Sequence, residues 1–319
     1  MTIENIFKVI PPRERSFWAD HPFGIYNIEL TNRCPMRCVM CPRTNNMTRA
    51  QGLMSFDIYR RAIDELVSAN SEYVDNRLVW LHHFGESLMH PRFGDCITYA
   101  SGKGVRAALS INPIMLKDDV IDALLRSKPY LLTMSLDGHD NESFYRIRGV
   151  KRSYHVSHDR LIAFLERKVK AKSSIQVIVS MIDFDMNGES IKNRESYWNE
   201  VPGVDQFLCK DFSTWDGAAG DINALAGGSR KAGSVDKSAV ACTLPWEVMT
   251  VAWNGDVLPC CYDYDARMVL GNMGKESLAD IWNGDKLQSI RKEFIENKVM
   301  NPLCRKCEKL YMPLEQRRL

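Results

Sequence analysis

From Gly24 to about Lys210, short apolar runs alternate with longer segments in which apolar residues recur every three or four positions. The short runs, 26–30, 78–82, 105–111, 131–136, 175–182 and 205–210, have the length and composition of strands. The segments between them, 55–68, 91–101, 118–127, 155–171 and 190–199, carry the period of amphipathic helices, with Ser55 and Asp118 placed as N-caps. Six strands alternating with helices predict an α/β fold with a parallel sheet covered by helices. Six are too few for the eight-stranded closed barrel, so the pattern predicts an open, partial (β/α)6 barrel. Ligands of such folds sit beyond the carboxyl ends of the strands.

The pattern changes after residue 217. Residues 218–238 are rich in Gly, Ala and Ser and read as a linker. Next come apolar runs at 248–253 and 256–258 around Asn254-Gly255, a hairpin signal, and a helical stretch at 285–297. The expected division is an N-terminal extension (1–20), a barrel (21–217), the linker, and a small C-terminal α+β domain (239–319) built from a β-hairpin plus a helix.

Charge and composition narrow the partners. Lys+Arg is 42 against Asp+Glu 40, a net charge of +2, which supports neither nucleic acid nor an anionic membrane surface. No apolar run approaches ~20 residues, and the first fifteen residues mix charges with prolines rather than forming a signal peptide, so a cytoplasmic location is expected. Ten cysteines in a reducing compartment point to metal or cluster ligation rather than disulfides.

Seven of those cysteines fall into two spaced sets. Cys34, Cys38 and Cys41 read C-x3-C-x2-C directly after the first strand, at the ligand-binding end. Three thiolates on one loop hold three corners of a [4Fe–4S] cluster and leave one iron open to a small molecule. A zinc site is the alternative, but zinc usually takes four ligands, and no fourth Cys or His stands nearby. Cys242, Cys260, Cys304 and Cys307 form the second set, which would close a cluster completely or make a four-thiolate zinc site.

The first triplet and its position resemble those of the radical S-adenosylmethionine superfamily. Downstream, His83-Phe84-Gly85-Glu86-Ser87 stands where that family carries a Gly-Gly-Glu-Pro-like motif, and Met40 stands where it usually has an aromatic. The resemblance implies that Gly85 and Glu86 hold the cofactor's amino group. It also implies that Asn112, Ser135 and Asp137 contact its ribose or carboxylate, and that Arg148 belongs to a recurring Arg-Gly element. Cys242-Thr243-Leu244-Pro245-Trp246, the C-x12-G-x4-C spacing through Gly255, Gly271-Asn272-Met273 and the 277–282 segment resemble the SPASM/twitch auxiliary domains of the same superfamily, in the truncated form with one auxiliary cluster. The implied cofactors are S-adenosyl-L-methionine and two [4Fe–4S] clusters, with a flavodoxin- or ferredoxin-type reductant and a small-molecule substrate as partners.

The layout is similar to that of the family's aminocyclitol dehydrogenases, which implies oxidation of a carbinol carbon to a ketone with the auxiliary cluster as electron acceptor. The alternative is an epimerase in which Cys209 or Cys261 returns a hydrogen atom to a sugar carbon; peptide modification is a third reading. Cys96 reads as a buried structural thiol. His83 is a candidate base or a satisfied loop histidine, and Lys210, Asp211, Ser213, Trp215 and Asp216 are candidate substrate contacts or a solvated loop.

Overall fold

A computed structural model describes residues 14–183, 191–225 and 238–312 of the chain. The six expected strands form: β1 (Gly24–Ile28), β2 (Leu78–Trp80), β3 (Arg106–Ile111), β4 (Leu131–Ser135), β5 (Gln176–Asp183) and β6 (Gln206–Asp211). They pair in parallel in sequence order. The C-terminal part adds β7 (Val248–Val251), β8 (Asp256–Leu258) and β9 (Gly271–Asn272), and the full sheet runs β6-β5-β4-β3-β2-β1-β7-β8-β9. The expected hairpin is therefore not a separate unit. Its first strand pairs in parallel with β1, through Gly24↔Val248 and Ile28↔Val251, so one sheet carries both parts of the chain.

The expected helices appear as Phe56–Ala69, Phe93–Gly102, Asp118–Ser127, Tyr154–Lys170 and Ile191–Glu200. The hydroxyl of Ser55 caps the first by accepting the N–H of Ile58 at 3.3 Å. Asp118 does not cap: Lys117 occupies that position, and Asp118 and Asp119 fill the first turn, where carboxylates favour the positive end of the helix. The linker segment is partly helical (Gly220–Leu225) with Ile222 buried, while 226–237 lie outside the described residues, as do 1–13 of the expected extension. The C-terminal helix spans Asp285–Ile295. Among the described residues no helix is long and apolar enough to cross a membrane.

Strand alternation sorts the sheet into two faces. One face packs on the helices through Leu109, Leu132, Val177, Val179, Met181 and Phe207. Each such side chain, fully buried, contributes about 1.5–3 kcal/mol. The other face is the barrel interior. Its floor is a separate apolar cluster of Trp80, Ala108, Leu131 and Ile178, with Tyr26 and Leu208 against it. Toward the carboxyl ends the same face turns polar: His82, Ser110, Thr133, Ser135, Ser180 and Lys210 follow the floor residues at two-residue steps. In β1 a register shift between Ile25 and Asn27 breaks the alternation. Tyr26 and Asn27 both lie on the inner side, Tyr26 against the floor and Asn27 donating to the carbonyl of His82 at 2.6 Å.

Candidate active site at the carboxyl ends of the strands

The loop after β1 carries Cys34, Cys38 and Cys41. Its backbone is tied to the end of the helix Asn141–Arg148: Arg37 N–H donates to the carbonyl of Arg148 at 3.1 Å and Val39 N–H to that of Ile147 at 3.0 Å. Burial pushes the thiols of Cys34 and Cys41 up to about 12; the charge of Glu86 adds to this at Cys34 and the neighbouring Cys38 at Cys41. Without a cation these groups are neutral thiols, whose protons a metal displaces. Arg148 Nη1 lies 3.6 Å from Cys38 Sγ, a charge-assisted contact suited to a thiolate.

Gly149 makes this contact possible. It has φ +72° and ends the helix, and a Cβ there would meet the carbonyl oxygen of Arg37 at 2.4 Å. Gly149→Ala is expected to destabilise the fold by at least about 1–2 kcal/mol from the left-handed conformation alone. The check is the denaturation midpoint together with iron content, both of which should fall; an unchanged pair would show that the loop does not depend on this approach.

The segment after β2 packs directly on the cysteine loop. Glu86 N–H donates to the carbonyl of Arg33 at 2.8 Å, and a Cβ on Gly85 would lie 2.0 Å from the carbonyl oxygen of Thr31, so only glycine fits there. The carboxylate of Glu86 is buried and accepts the N–H of Asn112 at 2.8 Å and of Leu88 at 3.2 Å. Among the described residues it makes no ion pair; burial raises it to about 7, partly offset by those hydrogen bonds and by the charge of Arg148. A buried carboxylate outside any ion pair of the described residues is matched to an ammonium ligand.

Across the mouth, Asp137 is buried and ion-paired with Arg148, while its Oδ1 accepts the N–H of Ile182 at 2.8 Å. Burial opposes the charge of Arg148, but Asp137 and Cys38 together raise its pKa above the usual value. Asn112 Nδ2 and Arg148 Nε are buried without hydrogen-bond partners, and Ser135 Oγ lies 3.3 Å from Ser180 Oγ. Three thiols, a carboxylate outside any ion pair and N–H donors without partners among the described residues thus stand close to one another. This donor set fits an iron–sulfur cluster bearing a ligand with both an amino and a carboxylate group.

The second cysteine set is also assembled. Cys304 is pushed well up by burial, reinforced by the charges of Cys260, Cys242 and Cys307, so the four thiols stand within electrostatic reach of one another. Cys304 N–H donates to Asn301 Oδ1 at 2.8 Å, Cys307 N–H to the carbonyl of Cys304 at 3.0 Å, and Cys242 N–H to the carbonyl of Leu310 at 3.0 Å. Among the described residues no three His, Cys, Asp or Glu side chains converge around the position of a single metal ion.

Between the two sets lies a buried junction that the sequence did not disclose. Glu29, fully buried, forms a two-pronged ion pair with Arg49, both contacts at 2.6 Å. It also accepts the N–H of Phe84 at 3.2 Å and of Trp253 at 3.3 Å. His83 is sealed in the same junction, with Nδ1 3.5 Å from Glu29 and Nε2 2.7 Å from the carbonyl oxygen of Cys261. It bridges the two cysteine loops instead of facing the barrel interior; His82, in step with Trp80, faces it. Strand alternation from Trp80 was the available signal. Burial pushes His82 down to about 3, with Lys210 and His83 adding to the effect.

The spare thiols part company. Cys209 alternates with the inward Leu208 and Lys210 and packs on the helix side. Cys261 hydrogen-bonds to the Cys260 thiol, and its charge acts on Tyr26 inside the barrel. Cys96 is buried, as expected. In the run after β6, Ser213 and Thr214 bond to Glu308, and Asp216 pairs with Arg267. Trp215 donates to the carbonyl of Met40 at 2.9 Å and packs on Phe84 and Tyr262, with ring centroids 4.9 and 5.8 Å away. These residues close the space between the two cysteine sets.

The radical SAM superfamily model matches residues 28–191, and the SPASM model, an iron–sulfur cluster-binding domain, matches residues 242–308. The chain is 21% identical over 298 residues to the S-adenosyl-L-methionine-dependent 2-deoxy-scyllo-inosamine dehydrogenase of Niallia circulans, covering 93% of this chain and 97% of that one. It is also 21% identical to the tungsten-containing aldehyde ferredoxin oxidoreductase cofactor-modifying protein of Pyrococcus furiosus, covering 88% and 86%. Among solved structures it resembles BtrN in complex with AdoMet and 2-DOIA (TM-score 0.57, 18% identity, 91% and 94% covered). It also resembles Streptococcus suis SuiB bound to S-adenosylmethionine (TM-score 0.62, 16% identity, 94% and 76% covered).

Proposed function

The chain belongs to the radical S-adenosylmethionine superfamily, and from that premise we propose that it oxidises a carbinol carbon of a sugar- or aminocyclitol-like molecule to a ketone. The observation that carries this reading is the pairing of β7 with β1. It brings Cys260, of the second set, and its neighbour Cys261 within electrostatic reach of Tyr26 on the inner face. An electron acceptor in that place serves an oxidation. The near full-length likeness to a dehydrogenase in both directions supports it.

When bound, S-adenosylmethionine and the first [4Fe–4S] cluster supply a carbon-centred radical able to remove a hydrogen atom from an unactivated carbon. Cys34, Cys38 and Cys41 would hold that cluster, with Arg148 favouring the thiolate of Cys38. Glu86 would receive the cofactor's ammonium, and Gly85 would keep the segment close to the cysteine loop. Asn112, Ser135 and Asp137 would contact the rest of the cofactor. Cys242, Cys260, Cys304 and Cys307 would hold the auxiliary cluster. Phe84, Trp215, Tyr262 and Tyr264 form an aromatic wall that would shield the space between the two sites. A flavodoxin- or ferredoxin-type protein would supply the initiating electron.

Incubation with 2-deoxy-scyllo-inosamine and related cyclitols is expected to give a product two mass units lighter than its substrate, read by mass spectrometry. A second reading keeps one observation in its favour: the Cys261 thiol lies toward Tyr26, so it could return a hydrogen atom in an epimerisation. A product of unchanged mass in ordinary water that gains one deuterium in heavy water, and is lost in Cys261→Ala, would replace the dehydrogenase reading with that one.

A further inference from the structure

We propose that Lys210 is the base that takes the hydroxyl proton of the substrate, acting from the inner face of β6; this rests on the dehydrogenase reading above. Its placement follows from the strand. Leu208 packs on the interior floor and Cys209 on the helix side, so Lys210 returns to the interior, one step nearer the carboxyl end and level with Ile182 of β5. There the side chain is enclosed by the barrel yet keeps part of its surface open at the mouth.

Its amine is unusual in having no tether. Buried Lys168, by contrast, donates to the carbonyl of Gly203 at 2.7 Å and to Asp205 at 2.6 Å. Arg148 is engaged by Asp137 and Cys38. The amine of Lys210 makes no hydrogen bond or ion pair among the described residues. An interior amine with no partner is costly in its charged form, and it is free to meet a ligand's oxygen.

The groups that face it come from several elements. The guanidinium of Arg148 opposes its charge, and Asp137, after β4, partly offsets that. His82, after β2, is within reach of the amine's charge, which together with burial holds the imidazole neutral. On β5 the inner neighbours Ser180 and Ile182 carry no charge, and the helix Ile191–Glu200 packs behind the strand through buried Trp198. Burial first, then Arg148, bring Lys210 down to about 8, so a useful share of the amine is neutral in mildly alkaline solution.

The step balances as follows. The substrate's C–H hydrogen leaves as an atom to the supplied radical. The O–H bond breaks, its proton forms a new N–H bond on the amine of Lys210, and the remaining electron passes to an oxidised [4Fe–4S] cluster. The carbon–oxygen bond becomes a carbonyl.

The test uses the reconstituted holoenzyme in two arms. In the first, trace acetylation with acetic anhydride across a pH series is read at the Lys210 peptide by mass spectrometry. Reactivity should rise with a midpoint near pH 8 and fall when 2-deoxy-scyllo-inosamine is present. A midpoint at the ordinary lysine value, above about 10, or no protection, overturns the proposal without any variant having to fold. In the second arm, Lys210→Arg keeps the charge but cannot accept the proton, and Lys210→Met removes both. Both should lower kcat for ketone formation by about 100-fold or more. Lys210→Arg should do so with KM changed far less than kcat, and the rise of wild-type kcat through pH 8 should vanish in it. If wild type makes the ketone and Lys210→Arg keeps kcat and its pH profile, the assignment of Lys210 alone is lost. If wild type makes no ketone from any cyclitol, the dehydrogenase reading is lost and the base falls with it.

Discussion

Alanine at Cys34, Cys38 or Cys41 should reduce S-adenosylmethionine cleavage to background in each of the three single variants. Burial keeps Cys34 and Cys41 protonated, up to about 12, until a metal displaces their protons, so each thiol contributes only as part of a cluster. With one thiol removed, two ligands remain on a loop that the helix Asn141–Arg148 holds at a set distance. The defect should be visible without turnover. Iron should fall from roughly eight to about four per chain if two four-iron clusters are present, while the fold stays intact by circular dichroism. Alanine at Cys242, Cys260, Cys304 or Cys307 should instead spare cleavage and remove the other half of the iron. Cleavage persisting in all three triplet variants would remove the proposed ligand set altogether.

Glu29→Gln should cost about 3–5 kcal/mol of stability, because it leaves the buried guanidinium of Arg49 without its counter-charge. Arg49 also donates to the carbonyl of Tyr264 at 2.7 Å, and the carboxylate of Asp265 accepts the N–H groups of Thr48 and Arg49 at 2.5 and 3.0 Å. The loop after the triplet is thereby joined to the loop after Cys260 and Cys261. Loss of Glu29 should loosen both clusters, read as a lower denaturation midpoint together with faster iron loss to a chelator. A Glu29→Met, Arg49→Met double variant should recover much of the stability, since an apolar pair avoids the desolvation cost. The pH dependence has a definite sign. Burial alone would raise Glu29, but hydrogen bonds from Arg49 and His83 and their charges hold it well below the ordinary carboxylate range. The unfolded chain therefore binds the proton first as pH falls. The contribution is complete at neutral pH and is lost progressively below about pH 4.3. A single variant as stable as wild type would show that the junction is not held by this pair.

The six barrel strands were legible because each is a short apolar run bounded by polar turns, and because parallel strands buried on both faces need little from distant sequence. The cysteine sets were legible for a related reason: ligand spacing on one loop is local chemistry. That His83 bridges two loops was not legible, because its partners, Glu29 and the Cys261 carbonyl, lie far from it along the chain. Cys209 lies near a strand end, as Lys210 does, but one residue of register sends its side chain to the opposite face. The C-terminal hairpin was visible from Asn254-Gly255, whereas its parallel pairing to β1 joins segments more than two hundred residues apart, and no local pattern records that.

By itself, then, the sequence determined the α/β repeat, the two thiolate sets and the radical chemistry to which the first set belongs. Only the tertiary structure decided what stands between those sets: Glu29 with Arg49 and His83, the aromatic wall, and an untethered Lys210 on the inner face. The reason is physical. Spacing along a loop or strand is set by bond geometry and survives in a string of letters. Burial, pairing and the loss of a proton depend on neighbours that the chain meets only after it has folded.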